Sequence, residues 1–154
     1  MDKISEHISY KEATYSATAN KLGIENVPNE KQLECMKTLA EEVFEPLREY
    51  VGCPIRVNSM FRSKKLNSVL KGSKTSSHLK GQAIDITTIF CEKENCKSNL
   101  DMFHYIRKNL DFDQLIWEYG VEPKWLHVSY VSKKKNRNQV LVIKRPNKYF
   151  EYKE

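Results

Sequence analysis

The chain reads SHLKGQAID over residues 77–85 and WLHVS over residues 125–129. These segments contain His78, Asp85 and His127, two imidazoles and one carboxylate that suit a single metal ion. Zinc accepts such mixed nitrogen and oxygen ligands. Three protein ligands leave the fourth tetrahedral position open for water, which is typical of catalytic rather than structural sites. We therefore expect one zinc ion per chain.

Composition indicates a soluble globular protein with one domain over residues 1–154. The chain is 40% hydrophobic and 30% charged, with five glycines and five prolines, which excludes disordered and fibrous classes. Its formal net charge of +6 favours polyanionic partners without choosing among nucleic acid, a cell-wall polymer and a membrane surface.

Targeting signals are not evident in the sequence. Residues 1–7 lack the apolar core of a secretion signal, and no stretch approaches the roughly 18 apolar residues of a membrane span. We expect synthesis in the cytoplasm without a signal peptide.

The four cysteines do not predict a structural zinc site. Cys91 and Cys96 are the only close pair, and no second pair answers them. Free thiols, or one local disulfide in an oxidising medium, fit this spacing better.

Hydrophobic periodicity predicts an α+β fold. Apolar residues follow helical spacing over residues 30–50, and Gly52 and Pro54 end that helix. A shorter helix is expected over residues 10–20, ending near Gly23, and another begins at the Ser98 cap. Residues 62–70 fit either a helix or a loop. Strands are predicted over residues 55–60, 82–88, 114–119, 125–132 and 139–144.

The predicted elements place the three metal-ligand candidates on different segments. His78 lies in a polar loop that enters the strand carrying Asp85, and His127 lies within another strand. Adjacent strands would bring all three together. Taken singly, a histidine in a polar loop is usually solvated, and an aspartate in a strand is often a capping or paired group.

In order and spacing, these motifs resemble the zinc D-Ala-D-Ala carboxypeptidase family, peptidase family M15. The resemblance rests on the two segments quoted above and on the arginine motif SMFRS at residues 59–63, followed by Asn67. Residues 16–28 and the segment FDQLIWE at residues 112–118 resemble the phage and bacterial branch of the family. Together the similar segments extend over nearly the whole chain.

The resemblance implies a compact α+β domain of the hedgehog/D-Ala-D-Ala-peptidase type, with an antiparallel sheet and flanking helices. It implies that His78, Asp85 and His127 hold zinc, and that the protein hydrolyses peptide bonds in bacterial peptidoglycan. Arg62 would stabilise the oxyanion, or bind a carbonyl or carboxylate of the substrate. The alternative for Arg62 is a surface salt bridge.

The general base departs from the pattern of many relatives, which have Asp or Glu three residues before the last zinc-binding histidine. Here that residue is Lys124, which is cationic. We expect Glu118 to act as the base, because its strand is predicted to pair with the His127 strand across a short turn. Glu122 and Asp113 are weaker candidates.

Further polar and aromatic residues are expected around the site. Ser76 and Ser77 would orient a ligand or bind substrate, or simply favour a turn. Asn67 and Gln114 are assigned to the same supporting or substrate-binding role. Trp125, with Trp117, lines a groove for the wall peptide or belongs to the core, and the core fits both tryptophans better.

These observations predict a zinc metallopeptidase that degrades peptidoglycan as a carboxypeptidase or endopeptidase. A phage endolysin, released to the cell wall by a holin, would fit the absence of a signal peptide. One alternative, motivated by Lys124, is a non-catalytic zinc-stabilised wall-binding or virion protein. Another is a basic nucleic-acid-binding domain, but the run KKKNR at residues 133–137 lacks interleaved aromatic residues and is better explained as a solvated hairpin turn.

Overall fold

The computed structural model describes residues 2–89 and 96–154 as a mixed α+β fold, which confirms the expected class. Its strands are β1 (Lys3–Ser5), β2 (Ile8–Ser9), β3 (Ile55–Ser59), β4 (Ala83–Thr88), β5 (Gln114–Glu118), β6 (Trp125–Ser129), β7 (Gln139–Arg145) and β8 (Lys148–Glu151). Its α-helices are α1 (Tyr10–Thr14), α2 (Ala17–Leu22), α3 (Glu30–Leu39), α4 (Glu45–Val51), α5 (Lys64–Val69) and α6 (Asn99–Asn109). A π-helical turn, Ala40–Phe44, joins α3 to α4, and a 3-10 turn, Ser77–Lys80, precedes β4.

The helix predicted over residues 30–50 is present as α3, the π-helical turn and α4. Asn29 caps its start in a capping box with Gln32, and Gly52 ends it in the left-handed conformation at φ 72°. The Ser98 cap of α6 is also present, completed by Asp101. The helix expected over residues 10–20 is instead divided into α1 and α2, because Tyr15 and Ser16 are extended and Ser16 caps a new helix.

The larger sheet has the strand order β3-β4-β6-β5-β7-β8. The expected antiparallel pairing holds for β3–β4, β4–β6, β5–β6 and β7–β8, whereas β5 and β7 run parallel. The parallel pair arises because residues 130–138 pass the start of β5 instead of reversing beside β6. The hairpin predicted at residues 133–137 is therefore wrong, although Lys133–Lys135 do form an exposed turn.

A bidentate ion pair holds this crossing connection against β5. Arg137 donates to Asp113 from Nε at 2.8 Å and from Nη2 at 2.7 Å. The backbone N–H of Asn138 donates to the carbonyl of Phe112, and that of Gln139 to the carbonyl of Asp113. These contacts fix where β7 begins, and so which of its residues face the cleft described below.

One face of the sheet packs on the helices, and the other is open. Side chains of β4, β5 and β6 alternate between the two faces, so every second residue enters the core. The helix-facing set includes Ile84, Ile86, Leu115, Leu126 and Val128, which pack with Leu39, Val43, Leu47, Met102, Phe103 and Ile106. The intervening residues of the same strands form the floor of the open face.

The structure gives the state of three of the four cysteines. Cys35 and Cys53 are free thiols, and Cys96 is disulfide-bonded. Cys91 lies outside the described residues.

No helix within residues 2–89 or 96–154 has the length and apolar character needed to cross a membrane.

Candidate metal centre and active-site cleft

The register of three neighbouring strands puts the metal-ligand candidates on the open face. Asp85 of β4 lies opposite His127 of β6, and His127 lies opposite Ile116 of β5. These residues form a cross-strand row on one face of the sheet. Asp85 and His127 therefore become neighbours through strand pairing, although they are 42 positions apart in sequence.

His78 reaches the same point from the 3-10 turn. Ser76 caps this turn, and Gly81 ends it in the left-handed conformation at φ 71°. A Cβ atom at Gly81 would lie 2.4 Å from the carbonyl oxygen of Gln32, so only glycine lets the turn approach α3 this closely. This packing buries His78, which is 1% exposed.

The tautomer of His78 is fixed by its surroundings. Nδ1 lies 2.7 Å from the carbonyl oxygen of Met60, and because a carbonyl only accepts, Nδ1 carries the proton and donates it. The lone pair of the neutral ring is then on Nε2. Among the described residues, His78 Nε2 is one of the few buried polar atoms without a hydrogen-bond partner. It faces Asp85 at 3.2 Å from Oδ2.

The three side chains fit a metal ion. His127 Nδ1 lies 2.9 Å from Asp85 Oδ1, so both imidazoles approach one carboxylate. One ligand atom from each of the three residues lies within 4.8 Å of the other two. Burial of the Asp85 carboxyl opposes its ionisation, but in the metal-free protein the attraction of a protonated His78 and the hydrogen bond with His127 outweigh burial, so the pKa of Asp85 lies well below its ordinary range. An ionised carboxylate and a buried, orphaned imidazole nitrogen are what a zinc site requires.

Glu118 lies in the same cleft at the end of β5. Its strand pairs with β6 as expected, with Glu118 opposite Trp125. Burial, together with the nearby charge of Asp85, raises the pKa of Glu118 to about 7, and His127 partly offsets this rise. A carboxyl group with a pKa near neutrality is suited to accept and release a proton.

The other two base candidates are placed differently. Asp113 is buried and engaged by Arg137, whose hydrogen bond lowers the pKa of Asp113 and keeps it ionised outside the cleft. Glu122 is exposed in the turn between β5 and β6, as is Lys124 just before β6. Neither Glu122 nor Lys124 lines the cleft.

The raised pKa of Glu118 makes the stability of the metal-free protein depend on pH. Its folded-state pKa of about 7 lies above its ordinary value of 4.5, so between these values the folded state holds a proton that the unfolded chain has released. This stabilising contribution is complete below pH 4.5 and is lost as the pH rises through about 7. Its size is at most about 3 kcal/mol, reduced by solvent screening because Glu118 is only half-buried.

As the pH rises from about 5 to about 8, we expect the free energy of unfolding of the metal-free Glu118→Gln protein to fall less than that of the wild type. Urea unfolding of chelator-treated protein across this range measures the difference. Glu122→Gln, in the exposed turn, is the control and should follow the wild type. If the free energy of unfolding changed with pH in the same way for the wild type and Glu118→Gln, the raised pKa of Glu118 would be contradicted.

Arg62 is held at the cleft by Asn67. Nη1 of Arg62 donates to Oδ1 of Asn67 at 3.2 Å, and Nδ2 of Asn67 donates to the carbonyl of Ser73 at 2.9 Å. Asn67 is 3% exposed and does not line the cleft, so it supports Arg62 and the following loop rather than contacting substrate. Arg62 Nε is buried without a partner within the described part of the chain.

Gly72 is required for this arrangement. A Cβ atom there would lie 2.2 Å from Asn67 Oδ1 and 3.1 Å from Arg62 Nη1.

We expect Gly72→Ala to break the Asn67 contacts, to lower stability by about 1–3 kcal/mol, and to reduce activity by displacing Arg62. Thermal unfolding and the hydrolysis assay described below measure both effects. Ser68→Ala, on the exposed face of α5, should change neither; equal behaviour of the two variants would refute the role of Gly72.

The cleft around these residues has a volume of about 840 Å³. Ser76, Ser77 and Gln114 line it as expected, together with Arg62, Glu118 and the three metal-ligand candidates. Trp125 also lines it, although the sequence favoured the core for this residue. Trp117 instead packs against the core, and its indole N–H donates to the carbonyl of Gly120. Sequence reasoning did not identify the remaining lining residues, Lys71, Gly72, Ser73, Thr75, Ile116, Arg137, Gln139, Leu141, Asn147 and Tyr149.

A second group with suitable ligand atoms, Glu6, His7 and Glu45, lies at the N-terminal hairpin. Glu45 already accepts hydrogen bonds from the Ser5 hydroxyl and the His7 backbone, and it is paired with the His7 ring. These contacts fasten the β1–β2 hairpin to α4. We assign the group to structure.

A cleft that combines two imidazoles, a carboxylate and a glutamic acid with a near-neutral pKa has the groups of a metal-dependent hydrolase. Comparison with known families agrees: the model for peptidase M15 matches residues 6–129, and the chain belongs to this family. Membership suggests a hydrolase, and specifically a metallopeptidase with a peptide substrate. A search of curated protein sequences found no match.

Proposed function

We propose that this protein is a zinc metallopeptidase that hydrolyses peptide bonds in bacterial peptidoglycan. The observation that carries the proposal is the convergence of His78, Asp85 and His127 in a cleft that also contains Glu118. The donor set of two nitrogens and one oxygen suits a catalytic zinc ion. Such an ion would polarise a carbonyl and acidify water at neutral pH.

The protein's own groups supply the remaining chemistry. Glu118 accepts a proton from the attacking water and returns it to the leaving amine, for which its pKa of about 7 is suitable. Arg62 lines the cleft, where its positive charge would stabilise a developing oxyanion. Met60 holds His78 in the tautomer that presents Nε2.

The cleft supports a peptide substrate that carries negative charge. Arg62 and Lys71 line it, as does Arg137, which is neutralised by Asp113. The net charge of +6 favours residence near anionic cell-wall polymers, and salt should weaken that attraction. Together with the motifs shared with zinc D-Ala-D-Ala carboxypeptidases, these features support a wall peptide as the substrate. A phage-type lytic role, with release by a holin, is part of the same proposal.

Release of new amino groups from purified peptidoglycan tests this function. Zinc-loaded protein should release them, chelator should stop the release, and added zinc should restore it. Mass spectrometry of the products identifies the bond that is cut. A protein that binds zinc and sediments with cell walls without releasing amines would be a wall-binding protein, and hydrolysis that resists zinc removal would refute a metallopeptidase.

A further inference from the structure

The far wall of the cleft is built from residues beyond the part of the chain that matches the peptidase family. The match ends at residue 129, whereas β7 and β8 extend over Gln139–Arg145 and Lys148–Glu151. Gln139, Leu141 and Tyr149 of this hairpin line the cleft. The surface that faces the metal-ligand candidates across the cleft therefore lies outside the residues matched by the family.

Strand register puts Tyr149 on the side of Glu118. Glu118 of β5 lies opposite Ile143 of β7, and Ile143 lies opposite Tyr149 of β8. The two residues are on the same face of the sheet and two strand spacings apart, on the order of 10 Å between backbones. Burial, then the charges of Glu118 and Tyr119, raise the pKa of Tyr149, so its phenol is protonated and able to donate.

Tyr149 differs from its neighbours in the wall because it is available for contact. It is 53% exposed, whereas Ile116, Leu141 and Ile143 on the same face of the sheet are 5%, 9% and 4% exposed. An aromatic side chain half-exposed in a cleft presents an apolar ring and a polar tip to whatever enters. The β7–β8 turn holds it there, with Asn147 in the left-handed conformation at φ 61°.

We propose that Tyr149 is a substrate-contacting residue whose hydroxyl donates a hydrogen bond to a main-chain carbonyl of the bound peptide. Tyr149 lines the cleft, and its register puts it on the sheet face that also carries Glu118. The partner is a neutral peptide oxygen, since Glu118 on the same side disfavours a second carboxylate there. This inference rests on the proposed peptidase function.

Tyr149→Phe separates hydrogen bonding from packing, because it removes the hydroxyl and keeps the ring. We expect the variant to lose about threefold to tenfold in kcat/KM for peptide hydrolysis, with zinc content and thermal stability unchanged. Tyr149→Ala should lose more, since the ring contact with the peptide is also removed.

Two variants provide matched controls. Phe150 follows Tyr149 on β8 but faces the other side of the sheet, beside Val142 and Trp117, so Phe150→Ala controls for truncation of an exposed aromatic residue in this strand. Tyr15, 57% exposed and remote from the cleft, controls for loss of a phenol through Tyr15→Phe. Both controls should keep kcat/KM within about twofold.

The outcomes distinguish this inference from the function on which it rests. An active wild type whose Tyr149→Phe and Tyr149→Ala variants both match the controls would overturn the role of Tyr149 alone. A loss in Tyr149→Ala with none in Tyr149→Phe would overturn the hydrogen bond. A wild-type protein that binds zinc and hydrolyses no peptide would overturn both the peptidase function and this inference.

Discussion

Glu118→Gln should reduce peptide hydrolysis by about two to four orders of magnitude while the protein retains its zinc. Glutamine preserves the size of the side chain and its place opposite Trp125, but it cannot accept the proton from water. Because Glu118 is not one of the three ligand candidates, metal content should remain at one ion per chain. Initial rates of amine release and elemental analysis of the same samples measure both quantities.

The pH dependence of the same reaction gives an independent test of the base. Hydrolysis should rise with pH as Glu118 ionises, and it should do so below about pH 7, because a bound cation lowers the pKa from the metal-free value. Glu122→Gln is matched in chemistry and lies in the neighbouring exposed turn, so it should keep wild-type rates. Loss of activity in Glu122→Gln with retention in Glu118→Gln would assign the base to the turn.

His127→Ala should abolish zinc binding and, with it, hydrolysis. The substitution removes one of the three candidate ligands and leaves Asp85 without its hydrogen-bond partner at 2.9 Å. Loss of a supporting residue around a zinc site commonly costs about 10–100-fold in affinity, and loss of a direct ligand should cost more. Stabilisation of the wild type by added zinc should disappear in the variant, because that stabilisation depends on binding to the folded state.

Titration calorimetry with zinc and thermal unfolding with and without zinc check this expectation. His104→Ala is the control: His104 lies on α6, where Nδ1 accepts a hydrogen bond from Arg107, and it is not among the ligand candidates. The control should bind one zinc ion. Tight zinc binding by His127→Ala, or weak binding by His104→Ala, would show that the ion is held elsewhere.

Sequence periodicity predicted the helix over residues 30–50 and the start of α6 because their signals are local, whereas it missed the break between α1 and α2. The capping boxes at Asn29 and Ser98 and the left-handed ends at Gly23 and Gly52 act within a few residues of the chain. The same holds for β4, β5 and β6, whose alternation of apolar and polar residues is legible without knowledge of their partners.

The arrangement of the strands depends on contacts that no local pattern contains. The parallel β5–β7 pair requires residues 130–138 to cross the start of β5, where Arg137 and Asp113, 24 positions apart in sequence, form an ion pair. Strands β1, β2 and β8 were not predicted, since two of them have only two or three residues and β8 is exposed throughout. The cleft wall containing Tyr149 was missed for this reason.

In the candidate site, too, local motifs were predictable from the sequence and contacts made by packing were not. The motifs around His78, Asp85 and His127 predicted the three ligand candidates that the fold brings together, and predicted strand pairing made Glu118 a base candidate. The burial of Asn67 behind Arg62 and the steric role of Gly72 are properties of packing, visible only when residues 62–73 are folded together.

The register that joins Asp85 to His127 has a consequence for how the protein folds. Because this contact spans 42 positions, no single strand or turn contains all three ligand candidates, and they come together only when β4 and β6 pair. Pairings of such sequence separation form late and slowly relative to helices. High-affinity zinc uptake during refolding should therefore lag behind helix formation and report the completion of the central sheet.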